Sequence, residues 1–181
     1  MHPSDLTSTA TGTSFRGIYS PYWTFSAVLD STWRAEVGIP RTEIYYDAGS
    51  KDWKTRTVID WHWRSGKTQV NIQDLLEYAT SRISAHLLHE IEPYNLNDLT
   101  SFEPGFLAGW QAKSYDIALE TAWETARSQM REKAKKACYA DISSAYVRNF
   151  SMTADFDNES WRYILLPIFI SAYRYNDKIY Q

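Results

Sequence analysis

Cysteine is nearly absent from this chain of 181 residues: Cys138 stands alone. One thiol closes no internal disulfide and cannot build a cysteine-based zinc site, which takes four Cys or His ligands in paired spacing. Set among Ala134, Ala137 and Tyr139, it is expected to be a small buried hydrophobe. Long apolar runs are missing as well. The longest, Tyr163 to Ile170, contains Pro167 and falls far short of the roughly 20 residues that cross a bilayer as a helix. Residues 1–14 are polar and rich in Ser and Thr, without the apolar core of a secretory signal. They read as a disordered lead-in, and the chain reads as cytoplasmic. Charge of one sign is also lacking. With 19 Lys and Arg against 22 Asp and Glu, the formal net charge is -3, so no global field draws nucleic acid or anionic membrane.

Aromatic residues are abundant instead, with eight Trp and thirteen Tyr. Rings of this size either pack a sheet against its covering layer or line a groove for a ligand or partner. Trp23, Trp61, Trp63 and Trp110 are the candidate lining of such a groove. One short phrase also occurs twice. Phe15-Arg16-Gly17-Ile18-Tyr19-Ser20-Pro21-Tyr22-Trp23 and Trp161-Arg162-Tyr163-Ile164-Leu165-Leu166-Pro167-Ile168-Phe169 align on their prolines, each with an aromatic, Arg, Ile, Pro and a second aromatic in step. Both copies open stretches of β-formers. The expectation is a duplicated hairpin motif, residues 15–37 and 161–181, whose strands share one sheet.

Between the copies, residues 53–64 alternate strictly. Trp53, Thr55, Thr57, Ile59, Trp61 and Trp63 fall on one, bulky face of a strand and Lys54, Arg56, Val58, Asp60, His62 and Arg64 on the other, mostly polar one. Ser65-Gly66 reads as a turn and Lys67 to Ile72 as the returning strand. Leu29-Asp30-Ser31, Asp157-Asn158 and Asn176-Asp177 read as further turns. From Asn71 the apolar spacing becomes helical through Ile72, Leu75, Leu76, Ala79, Ile83, Leu87 and Ile91, and Pro93 ends that helix. A packed connector (94–112) leads to a second helix, roughly 114–141, with acids first and bases last as the helix dipole favours. Strands, helix, helix, strands is the order of an α+β domain: an antiparallel sheet built from hairpins at both ends, with two main helices on one face. Residues 15–181 are expected to form that single domain.

Candidate chemistry is thin. Arg64-Ser65-Gly66-Lys67-Thr68 ends like a phosphate-binding loop, yet Trp61 holds the position of its first glycine and a strand follows where a helix is required. His86 and His89 are three apart, without the spacing of a zinc protease pair. Asp155, Asp157 and Glu159 lack the glycine pivot of a calcium loop and read as a solvated turn. No serine or cysteine nucleophile has a supporting context. No catalytic residue, cofactor or metal is assigned. Arg127, Arg131 and Lys135 form a basic row at i, i+4 and i+8 that can track phosphates. A C-terminal strand edge left open for a partner strand is the remaining candidate.

Read together, several stretches resemble a family of bacterial zinc-ribbon, "primosomal helicase-like" proteins. They are Gly17 to Phe25, Trp61 to Lys67, Glu92 to Leu96, Phe106 to Trp110, Ile164 to Pro167 and Ala172 to Tyr175, in order along the chain. Members carry a Cys-rich ribbon ahead of this region; the ribbon and helicase motor motifs are absent here, so the helicase label does not transfer. The resemblance implies a chain shorter than other members at its C-terminus, and an assembly role beside membrane-scaffold proteins. It supplies no site residue. Three functions follow as expectations: a non-enzymatic interaction or scaffolding domain within a membrane-associated assembly, a nucleic-acid-binding domain using Arg127, Arg131 and Lys135, and a small-molecule site in the aromatic groove.

Overall fold

In a computed structural model, residues 11–81, 96–175 and 178–180 are described. Three very long strands dominate: β1 (Thr11–Asp47), β2 (Asp52–Tyr78) and β4 (Val147–Tyr175). Short β3 (Gln111–Ala112) and β5 (Lys178–Tyr180) complete the sheet, and α1 (Leu119–Ile142) is the one α-helix among the described residues. The sheet order is β2-β1-β4-β5, with β3 paired to β1. The fold is therefore mainly β, and the expected α+β domain with two main helices is corrected. Residues 71–78 of the expected first helix belong to β2, and its remainder from 82 onward lies outside the described residues.

The reason lies at Asp74. Its φ of 53° is left-handed inside a strand, the mark of a bulge that adds one residue and exchanges the two faces. Thr68 and Ile72 are buried before it, Glu77 and Ala79 after it. A two-residue period broken by one extra residue imitates helical spacing. Asn149, with φ 50°, does the same in β4: Val147 packs inward, then Phe150 and Met152, leaving Arg148 on the other face.

The expected turns are corrected too. Leu29-Asp30-Ser31 lies within β1, with Leu29 and Ser31 buried and Asp30 accepting a hydrogen bond from Gln69 of β2 at 2.8 Å. Ser65-Gly66 lies within β2. There Gly66 serves close approach: a Cβ would sit 2.5 Å from the Trp33 ring. The chain reverses instead at residues 48–51. Asp157-Asn158 is part of β4, where Asn158 has a φ of 53°. The expected turn at Asn176-Asp177 lies outside the described residues; on either side of it Tyr175 pairs antiparallel with Lys178.

The chain divides into two compact units. The first comprises Met1–Phe25, Asp74–Thr125 and Trp161–Gln181, the second Ser26–Gln73 and Ala126–Ser160. In the first, the twice-used phrase lies on neighbouring strands β1 and β4. Ile18, Tyr22, Ile164, Leu166 and Ile168 form a core on one face, packed by Leu76, Tyr78 and Leu96. The copies differ at their ends: Trp23 is 4% exposed and its counterpart Phe169 58%. Carbonyls of Tyr19 and Pro21 point to the same edge of β1. Pro21 accepts from Ala79 N–H at 3.2 Å and Tyr19 from Lys113 N–H at 2.9 Å, so β3 takes up the edge that β2 leaves.

In the second unit β1 is the middle strand. Trp33, Ala35 and Val37 turn one face toward Cys138 and Ile142 of α1; Cys138 is buried as expected. Ala126, Met130, Ala134 and Cys138, four residues apart, are all fully buried, and the small ones let helix and sheet approach closely. The Trp33 indole donates to Thr68 Oγ1 at 3.1 Å, and Thr68 donates on to Asp141, linking β1, β2 and α1. The opposite face carries Trp61 and Trp63. The bulky side of the alternating stretch thus faces away from the helix.

Candidate functional site: open strand edges and an aromatic cavity

A middle strand needs two neighbours; an edge strand has one, and its other row of N–H and C=O groups faces outward. In the second unit, β1 has β2 on one side and β4 on the other. Contacts fix both directions. Arg41 reaches Asp60 and Glu43 reaches Arg56, so β2 runs antiparallel to β1. Gly38 N–H bonds Tyr146 O at 2.9 Å, and Ser151 lies against Arg34 O, so β4 does as well. On its outer edge β4 meets β5 only at Tyr173 to Tyr175. Among the described residues, no strand covers the outer edge of β2, nor that of β4 within this unit.

The edges differ in charge. On β2, Lys54 pairs with Asp47, Arg56 with Glu43 and Asp60 with Arg41. Lysine and serine hydrogen bonds hold the Asp47 carboxyl below its ordinary range. Arg64 and Lys67 remain exposed, without an ion pair among the described residues. On β4, Arg148 pairs with Glu36 and lies over the Trp61 ring at 4.1 Å, while Arg34 covers Trp63 at 4.3 Å. Asp155 and Asp157 are exposed and likewise lack an ion pair there. They sit in a strand and not in the expected solvated turn.

The basic row of α1 is partly occupied. Arg127 makes two hydrogen bonds to Glu159, at 2.7 and 2.9 Å. Arg127 and Arg131 both lie over the Phe156 ring, and Lys135 is 3.9 Å from Glu132. The four tryptophans proposed to line one groove divide between the units. Trp23 is buried, its indole donating to Ile117 O at 3.3 Å. Trp110 lies on Gly17, where any Cβ would strike its ring, and beside Tyr19 and Phe169. Trp61 and Trp63 belong to the second unit's cation-covered face. His86 and His89 lie outside the described residues, and no cluster of three metal-ligating side chains occurs among those described.

A cavity of about 980 Å³ opens in the first unit, between Asp98 to Phe102 on one side and Arg162 to Pro167 on the other. Tyr19, Phe106 and Tyr115 complete its wall. Tyr19 donates to Phe106 O at 2.8 Å and Tyr115 to Ile164 O at 3.0 Å, which fixes both rings. Burial, with the neighbouring Tyr163, pushes the Tyr115 hydroxyl up to about 12, so it stays a donor. Arg162 is tied to Asp74. Sequence reasoning missed this wall because its residues come from a connector and from every position of a strand, with no period to reveal them. It likewise missed Arg64 and Lys67 as edge charges, having placed them at a turn.

The chain matches no protein-family profile and no solved structure. It is 24% identical over 168 residues to the uncharacterised protein YdjG of Bacillus subtilis (strain 168), an alignment covering 90% of this chain and 46% of the relative. The chain thus spans about half the length of the curated relative it matches. Among the described residues, no helix is long and apolar enough to cross a membrane.

Proposed function

We propose that this chain is a non-enzymatic interaction module that recruits or scaffolds protein by strand addition at its sheet edges, within a larger assembly. The observation that supports this reading most is the outer edge of β4. It spans 29 residues of strand, and among the described residues β5 pairs with three of them. Unpaired backbone groups give such an edge affinity for an added strand, and side chains at alternate positions give it selectivity. A photo-crosslinking residue in place of Asp155 on β4, Lys67 on β2, or Lys133 on exposed α1 tests the reading. Adducts formed in native lysate at the two edge positions and not at Lys133 are expected. Adducts at Lys133 alone, or at none of the three, contradict it.

A second reading, small-molecule binding, is favoured by the aromatic cavity, whose volume lies within the range of ligand sites. Fragment screening by ligand-observed NMR tests it. Hits lost on Tyr163→Ala support the cavity, and hits indifferent to that change argue against it.

A further inference from the structure

From the second unit we infer that the strand added at these edges belongs to another copy of this chain, the basic β2 edge of one copy receiving the acidic β4 edge of the next. The inference rests on the edge reading above and names its occupant. Charge decides among the possible pairings of two copies. A symmetric pairing through β2 joins two strands that each carry an excess of base (Lys54, Arg56, Arg64 and Lys67 against Asp52 and Asp60), and one through β4 joins two with an excess of acid (Asp155, Asp157 and Glu159 against Arg148). Both put like charges together in a strand pair, which is destabilising. The head-to-tail pairing brings Lys67 toward Asp155 and Asp157 on the face away from α1, three exposed charges that have no ion pair among the described residues, while Arg64, likewise without one, adds base to the β2 edge on the α1 face.

Direction and register are compatible. Both β2 and β4 run antiparallel to β1, hence parallel to one another, and repetition with α1 on one face pairs them in parallel. Within one copy, Trp33 contacts Thr68, and neighbouring Arg34 contacts Ser151. Lys67 is therefore nearly level with Ser151. A stagger of about four residues, ~13 Å along the strands, brings Lys67 beside Asp155 of the next copy. A head-to-tail contact does not close on itself after two copies, so it builds an open chain or a ring.

Charge exchange tests the inference on the whole chain. The variant Arg64→Glu/Lys67→Glu has two acidic edges, and Asp155→Lys/Asp157→Lys has two basic ones. Sedimentation velocity at low salt should show wild-type protein growing with concentration, and that growth should fall away at high salt. Each variant alone should remain monomeric, and an equimolar mixture should assemble again, which also shows that both are folded. A monomeric wild type, variants that assemble alone as wild type does, or a mixture that stays monomeric overturns the inference. A monomeric wild type that still forms edge adducts in lysate leaves the edge reading standing with a different occupant; loss of the adducts too removes both.

Discussion

At the scale of single residues, two glycines act as platforms for tryptophan. Trp110 lies on Gly17 and Trp33 on Gly66. The Trp33 indole is buried, with its N–H used by Thr68, and has little room to retreat. Gly66→Ala is expected to lower stability by about 1–3 kcal/mol in urea unfolding, the usual cost of overpacking. An unchanged midpoint would mean that the ring moves freely. Glu77 is a second residue with a measurable consequence. Burial pushes its carboxyl up to about 7 from 4.5; neighbouring Tyr78 is raised by its own burial first and by the Glu77 charge second. The folded state then holds its proton more tightly than the unfolded state. The stability this gives is complete below about 4.5 and is lost as pH rises through about 7. Glu77→Gln should flatten the decline in unfolding free energy across that window. A slope unchanged by the substitution would assign the titration to other groups.

At the scale of elements, the bulges decide what could be read from the sequence. The alternation of residues 53–64 is a strand, and the stripe through Ala122, Ala126 and Met130 is a helix, because each keeps one period throughout. Both copies of the twice-used phrase lie in strands, as their β-formers suggest, with Ile18 and Ile164 reaching one core. Leu75, Leu76 and Ala79 misled because Asp74 inserts a residue and changes the parity. Gly66 and Asp30 misled because turn formers also serve a ring contact and a cross-strand hydrogen bond. No pattern in sequence tells which of eight tryptophans meet, and those of the candidate groove divide between the two units. Asp74 itself is testable. It holds a left-handed backbone and pairs with exposed Arg162. Asn tolerates that backbone, and an exposed pair contributes under about 1 kcal/mol. Asp74→Asn should therefore cost little, whereas β-branched Asp74→Val should cost clearly more than about 1 kcal/mol in the same unfolding assay. Equal losses would show that the ion pair, and not the bulge, matters.

At the scale of the molecule, strand edges are where main-chain hydrogen bonds remain to be made. β1 is paired on both sides, while the outer edges in the second unit carry Arg64 and Lys67 on β2 and Asp155 and Asp157 on β4, exposed and without an ion pair among the described residues. On the proposed head-to-tail pairing, these edges give that unit a direction. The measurement that tests this most directly is hydrogen exchange of the pure wild-type chain, read by mass spectrometry at low and high protein concentration. Protection that rises with concentration in residues 52–73 and 147–160 together, with β1 and α1 unchanged, is the predicted result. Exchange in those two segments that is the same at every concentration would contradict the account.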